Sequence, residues 1–593
     1  MSKQQTSPQQ AGGGLTQHAM LVAWGLYARQ LGLVEKLHQV CLGQKVREHR
    51  PQTKVLEFLV AMLAGLAHLQ DISRSAHPLD QDQMVAEAWG QPSWADYSGV
   101  SRTLQCLTET EVESIVGVLN SVSQSFIDQE TALALQRCGR LVYDADLTGR
   151  PVSSTSSTYP GAAFGYMGDG VALGYQAALV SLHSPTYGRL WLTTQLHPGD
   201  TVSATQIEAL VQAAEGRSGL RPRRRTELVA LRLAAAQLAY EAADQRYQTS
   251  DEELRMLQVK ERDTLIELRA WQRQVCELEA EYARTGRQPT AHCKLTRSRG
   301  KVAMYEGRRL RLHPALLHAQ RRLQRHEQTL NQAGAELERL RTHQQRLLAE
   351  NKANTQPIQA LFRLDSGFAS RENIAWLIEM GDDLYTKAHS AHLPDRLAAA
   401  VTPESRWQRV GGNATLTAWR ETTVDDPFIY PVNVALARYQ TGETVRHAVL
   451  LHYGNDDVTQ DLASWFHTDN ARQTIEAGIK EGKNIFQMHH LKVRAPQALL
   501  LQEHFACFAA NFVRFAALWL TQQPLETAPL ETASVKHMVQ ICAHTSAWIQ
   551  RQGDVWLLTF AEQSLYAGHS LRIGFGPVQL PLPLFRNIHF CHL

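Results

Sequence analysis

Two periodicities alternate along the chain, and their order divides it. From residue 15 to about 135, apolar positions recur at intervals of three and four, in LVAWGLYARQLGLVEKL and again in VLEFLVAMLAGLAHL. Ser/Thr caps precede further periodic runs in SGVSRTLQCLTETEVESIVGVLNSV, so a helical domain is expected over 15–137. From Gly139 the period falls to two. RLVYDAD reads as a strand ending in acids, and the polar loop TGRPVSSTSSTYPGAAFGYMGDG follows it. Two further strands, ALGYQAALVSL and GRLWLTTQL, are joined by the turn HSPTYG and lead into an amphipathic helix in LHPGDTVSATQIEALVQAAE. The fourth strand of this series, QALFRLD, begins only at Gln359.

Between them lies a different texture. Residues 226–283 and 315–352 are rich in Ala, Leu, Glu, Gln and Arg, with few glycines or prolines. Leu228, Leu231, Ala235, Leu238 and Ala242 follow the three–four alternation of a coiled-coil seam. Unbroken, the first run would reach ~85 Å, although Ser250 followed by Glu253 has the form of a capping box that would split it. An antiparallel coiled-coil hairpin over 221–355, inserted into the strand-bearing domain, is the economical arrangement.

The remainder returns to mixed patterning. FRLDSGFASRENIAWLIEMGDDLYTKA reads strand, helix, strand, and residues 389–457 are β-rich, with Trp407 and Trp419 set among Arg406, Arg409 and Arg420. One helix is expected over Phe466 to Lys483, and LLLQEHFACFAANFVRFAALWL is apolar nearly all round, as a buried helix is. The fold class expected is therefore α/β and multidomain. Its parts are a tail at 1–14, the helical domain at 15–137, a core in three pieces (138–220, 356–388, 458–525), the two insertions, and a small accessory module at 526–593.

Charge changes this picture only locally. The 593 residues carry a formal net charge of +2, so composition alone does not point to a polyanion partner. Yet Arg284, Arg287, Lys294, Arg297, Arg299, Lys301, Arg308, Arg309 and Arg311 face a single acid, Glu306, in the expected turn of the hairpin. Arg221, Arg223, Arg224 and Arg225 gather at its root. Such clusters suit phosphate contacts. The eight cysteines are scattered without a CxxC pair, which argues against zinc and for reduced thiols. The polar start MSKQQTSPQQAGGG does not resemble a signal peptide, and no membrane span is expected, so the chain reads as cytoplasmic.

The chemistry is carried by acids. Asp146 ends the first strand, Asp365 ends the fourth, and Glu476 sits on the later helix with Arg472 and Lys483. Offsets of four and seven put these last three within roughly 40° of one another on a helix. Asp144 lies on the same side of its strand as Asp146, and the pattern leaves open which is used. Converging carboxylates without His or Cys are what hard, oxygen-bound Mg²⁺ requires for two-metal phosphoryl transfer. The glycines of FGYMGDGVALG form no phosphate loop, since no GK[ST] follows, and His489–His490 reads as a helix-end feature.

The order strand-Asp, strand-Asp, helix-Glu resembles the DDE transposases of bacterial insertion sequences, whose catalytic core has the ribonuclease-H-like fold. Arg472-(3)-Glu476-(6)-Lys483 is similar to the Y-(2)-R-(3)-E-(6)-K signature of one large insertion-sequence family, with Asp469 in the tyrosine's place. DADLTG and RLDSGF resemble that family's two aspartate segments, and the likeness spans residues of about 140 to 520. The resemblance implies a cut-and-paste DNA transposase using Mg²⁺, or Mn²⁺ as a substitute. It favours Asp146 over Asp144, because the hydroxyl residue Thr148 follows closely. Asp146, Asp365 and Glu476 would be the metal-binding catalytic acids. Arg472 and Lys483 would contact terminal-repeat phosphates, Trp419 or Trp407 would stack on a displaced base, and Arg297, Arg299, Arg308 and Arg309 would bind DNA from the hairpin. A synaptic homodimer on double-stranded DNA and a hairpin intermediate are further implications. Two other classes fit parts of the pattern: a transposase-derived DNA-binding protein with impaired catalysis, and a scaffold organised by its coiled coil.

Overall fold

A computed structural model describes residues 13–153, 159–168, 170–390, 392–402, 405–419, 428–486, 488, 493–522, 534–562 and 570–574. The pair His489–His490 and Arg420 lie outside them. Contacts divide the chain into two units, Met1–Arg223 with Gln356–Leu593, and Arg224–Thr355.

The first unit opens with a short strand, β1 (Gly13–Thr16), and seven helices. These are α1 (Ala19–Gln30), α2 (Leu33–His38), α3 (Pro51–Leu63), α4 (Asp71–Arg74), α5 (Gln83–Ala88), α6 (Tyr97–Gln105) and α7 (Glu109–Cys138). Thr108 and Glu111 cap the start of α7 reciprocally, and Gly139 ends it at φ +68°, a conformation open to glycine. The chain then enters the sheet.

That sheet has ten strands and is mixed. β2 (Arg140–Pro151), β3 (Ala163–Tyr166), β4 (Val171–Ser184) and β5 (Gly188–Pro198) form antiparallel neighbours, with β4 between β2 and both β3 and β5. After α8 (Ile207–Ser218) and the second unit, β6 (Gln359–Leu364) pairs parallel with β2, Arg140 beside Gln359 and Ala145 beside Leu364. α11 (Arg371–Glu379) then returns the chain to β7 (Asp383–Lys387), parallel to β6. The β-rich stretch following α12 (His392–Ala399) continues this same sheet. β8 (Gln408–Arg409), β9 (Ala414–Trp419), β10 (Asn433–Thr441) and β11 (Thr444–Tyr453) extend it, because β11 satisfies the open edge of β7 by antiparallel pairing.

Three helices complete the face that matters for the site: α13 (Leu462–Asn470), α14 (Gln473–Ile485) and α15 (Pro496–Thr521). The expected single helix over Phe466–Lys483 is thus two. Arg472 donates its amide to Asp469 and Ile475 to Arg472, both three-residue closures that tighten the chain between α13 and α14. α15 is long and apolar enough to cross a membrane, but most of it is buried in this unit. Its rings stack into the amino-terminal helices, Phe515 on Phe126 with centroids 3.9 Å apart and Trp519 on Tyr27 at 4.6 Å. The helical segment and the core are therefore packed as one body. Likewise, after α16 (Val535–Gln540), strands β12 (Ala547–Gln552), β13 (Val555–Phe560) and β14 (Ser570–Gly574) form a sheet with β1 on its edge. Gly13 and Gly14, expected in a tail, belong to that sheet.

The second unit is a pair of helices, α9 (Thr226–Thr285) and α10 (Lys294–Ala353), each of 60 residues and hence ~90 Å long. Contacts of Arg299 with Glu279 and of Arg232 with Glu336 fix the pair as antiparallel. α9 is unbroken at Ser250, whose buried hydroxyl meets His326 Nδ1 at 2.8 Å. The expected seam is out of phase. Leu231 and Leu238 are 68% and 66% exposed, whereas Val229, Ala243, Ser250 and Thr264 point at α10. Leu254 packs there with Leu316 and Ala319 of α10. α10 also starts earlier than expected, at Lys294 behind a Cys293 cap, and continues through Pro314. The basic residues from Lys294 onward therefore lie on a helix and not in a turn.

β2 is tied to α15 by a pair buried on both sides, Arg150 Nε to Glu503 Oε1 at 2.9 Å, each side chain 1% exposed. Removing one partner strands the other charge in the core, at a cost of about 3–5 kcal/mol, whereas replacing both with apolar residues is far milder. Glu503→Ala is expected to lower unfolding stability by that amount in denaturant titration, and Arg150→Met/Glu503→Leu to recover most of it. Equal losses in the two proteins would contradict this.

Candidate active site

The β2–β6 register places the candidate acids. Pairing ends at Ala145 and Leu364, so Asp146 and Asp365 are the next residues on two adjacent parallel strands. β2 itself continues past Asp146 to Pro151 beside β4, so Asp146 sits within the strand and not at its end. Asp365 does follow the last residue of β6 and opens the short turn Ser366–Phe368.

One step deeper, the same register sets Asp144 beside Arg363. The two form a bidentate pair, Nε–Oδ1 2.7 Å and Nη2–Oδ2 2.8 Å, both buried. Arg189 of β5 adds a second cation 3.9 Å away. Asp144 is thereby committed to the core. Asp146 is left as the acid that faces the site, which separates the two residues that the strand pattern alone could not.

The third acid arrives on α14. Arg472 stands at the N-terminal boundary of that helix and Glu476 one turn on, Nη2–Oε1 2.7 Å. Gly478 lets this helix lie against β5, since a Cβ there would come within 2.5 Å of Arg189 Nη1 and 2.9 Å of the Trp191 ring. So seated, the Arg472 guanidinium reaches all three acids: Asp146 Oδ2 at 3.4 Å, Asp365 Oδ1 at 3.6 Å and Glu476 at the distance above. Asp146 forms the floor at 15% side-chain exposure, while Asp365 and Glu476 form a half-open mouth at 45% and 44%.

Electrostatics follow from this crowding. Burial pushes Asp146 up to about 6; Arg472 and the Leu147 amide act against the rise, and Asp365 and Glu476 add to it. Burial opposes the charge of Arg472, but Asp146, Asp365, Glu476 and Asp469 outweigh it and hold the guanidinium above its ordinary value. Asp469 is buried at the end of α13 with Lys387 Nζ 4.0 Å away. Its burial raises its pKa despite Lys387, Arg472 and Arg363. Lys387 was not marked by sequence reasoning. Arg363 had a signal that was available: it stands two residues before Asp365 just as Asp144 stands two before Asp146, so a parallel register must pair them.

The other candidates lie elsewhere. Lys483 is half-buried in the last turn of α14. Trp419 is half-buried on β9 opposite Val434, and its indole N–H has no hydrogen-bond partner among the described residues. Trp407 lies under the Arg438 guanidinium, 4.5 Å from the ring centre. In the second unit Arg297, Arg308 and Arg309 are exposed on α10, and Arg299 is paired with Glu279 at 2.7 Å.

Among the described residues, no three His, Cys, Asp or Glu side chains stand close enough to hold an ion as placed. The three acids are spaced around a guanidinium. Their chemistry nonetheless fits a hard divalent cation: an all-oxygen donor set already gathered about one positive charge. Compared with known proteins, the chain matches no family and no curated sequence.

The division between Asp144 and Asp146 is testable by stability alone. Asp144→Asn leaves two buried guanidiniums undercompensated and is expected to cost about 3–5 kcal/mol. Asp146→Asn removes a carboxylate that its setting disfavours and is expected to change stability by less than about 1 kcal/mol. Denaturant unfolding at pH 7 checks both, and a larger loss for Asp146→Asn would invert the assignment.

Proposed function

We propose that this protein is a DDE-type DNA transposase that cuts and joins DNA at the ends of a mobile element. The observation that carries the reading is the convergence of Asp146, Asp365 and Glu476 on one guanidinium from three separate stretches of the chain. The strand arrangement supports a ribonuclease-H-like core. β2 is central, β4 and β5 succeed each other antiparallel on one side, and β6 and β7 lie parallel on the other.

Asp146, Asp365 and Glu476 would hold Mg²⁺, or Mn²⁺ in its place. The bound metal would supply Lewis-acid polarisation of the phosphoryl oxygens and a water of lowered pKa. The chain's own residues bind and orient. Arg472 can clamp one phosphate bidentately, a geometry that lysine cannot match, while Lys483 adds a point charge further along α14. Hydrolysis breaks the phosphodiester and leaves a 3′-hydroxyl. That hydroxyl then attacks a second phosphodiester in line, and another 3′-oxygen departs with the proton balance restored by solvent. The exposed Arg297, Arg308 and Arg309, with Arg299, would track the DNA backbone, and Trp419 is the candidate for stacking on a displaced base. A homodimer on two element ends is the assembly that this reaction needs.

A second reading is a DNA-binding protein of the same fold with impaired catalysis, favoured by the buried Asp469 in the tyrosine position. Excision of the element from a plasmid separates the two. Glu476→Gln is expected to lower excision by about a hundredfold or more, the scale seen when one group that stabilises developing charge is lost. Equal excision by both proteins would reject the enzymatic reading, and gel-shift binding that survives in both would then favour the second.

A further inference from the structure

Arg472 stands where a cation between the three acids would stand. Its guanidinium is 13% exposed, contacts each carboxylate, and is drawn there by Asp146 from below and by Glu476 from its own helix. No other cation contacts Asp146 or Glu476 in a salt bridge among the described residues, and Lys387 is turned to Asp469 at 4.0 Å. A divalent ion entering from the half-exposed mouth at Asp365 and Glu476 must therefore compete with a charge already in place. A guanidinium on a long side chain can leave without any backbone movement, provided that it gains another anion of matching geometry. A phosphodiester is such an anion, since it accepts the same forked pair of N–H donors as a carboxylate.

Resting on the metal-dependent reading of this site, we propose that Arg472 is an internal counter-ion that keeps the three acids from taking up a divalent cation until a phosphate chain draws the guanidinium away. Metal loading is thereby made conditional on DNA. The free protein spends most of its time closed to metal, and its apparent affinity falls by the fraction of time that the site is open. DNA stabilises the open arrangement by giving Arg472 a new partner, and by thermodynamic reciprocity the metal then strengthens the hold on DNA. A free protein built in this way carries little bound metal with which to nick DNA indiscriminately.

Binding of Mn²⁺ to the full-length chain, read from the electron paramagnetic resonance of the free ion, tests this without any turnover. In the absence of DNA, Arg472→Gln is expected to bind Mn²⁺ at least about tenfold more tightly than the wild type, with Arg472→Lys between them. Adding Glu476→Gln to Arg472→Gln should abolish the gain. Mixed-sequence duplex DNA should tighten Mn²⁺ binding to the wild type and leave Arg472→Gln nearly unchanged. If Arg472→Gln does not fold, as judged by circular dichroism, Arg472→Lys alone must still show a gain. Equal or weaker binding in the folded variants overturns the proposal. If the wild type then still cleaves DNA with Mn²⁺, the transposase reading stands without it. No Mn²⁺ uptake and no cleavage by any variant rejects both.

Discussion

The parallel pairing of β2 with β6 is the constraint on which the site depends. It joins segments that lie far apart in the chain, with Arg140 beside Gln359 and Ala145 beside Leu364. A register shift of one residue would turn Asp365 to the opposite face from Asp146 and would separate Arg363 from Asp144. The buried Asp144–Arg363 pair resists such a shift, because misplacing either partner leaves an uncompensated charge in the core. One layer of the strands thus carries the pair that holds register, and the next layer carries the acids that face the site.

The gathered acids are an electrostatic load on the site. Burial disfavours the charge of Asp146, and Asp365 and Glu476 add repulsion. Arg472 relieves this, and it does so from the tightened link between α13 and α14, where the chain turns toward the sheet. Asp469, one turn earlier, lies between Lys387 and that link. Burial pushes the Asp469 carboxyl up, and Lys387, Arg472 and Arg363 act against that rise.

Much of this was legible in the residues themselves. The i, i+4 spacing of Arg472 and Glu476 is a local property of helices, and the structure has the two in contact at 2.7 Å. Strand patterning around DADLTG and RLDSGF located the two aspartates near the ends of their shared ladder, because apolar alternation marks strands directly. What failed were features set by partners distant in sequence. The buried face of the long helical pair lies one position on from the leucine pattern, at Val229 and Ala243 beside Leu228 and Ala242. Leu231 and Leu238 are exposed, and among the buried positions Ala243, Ser250 and Thr264 alternate with Val229, Leu254 and Leu268, so hydrophobicity alone does not mark the face. β1 pairs with β12 from the far end of the chain, and β11 joins β7, pairings that no local pattern reveals. The break at Arg472 was hidden because residues on both sides have helical spacing.

The central claim is that Asp146, Asp365 and Glu476 hold one divalent metal site. Iron-mediated backbone cleavage tests it most directly. Fe²⁺ bound in place of Mg²⁺, with duplex DNA present and ascorbate added, generates radicals that cut the chain close to the metal. Fragments ending near Asp146, Asp365 and Glu476 are expected together, and all three sets should vanish in Glu476→Gln. Cleavage clustered elsewhere, or unchanged in Glu476→Gln, would contradict the assignment.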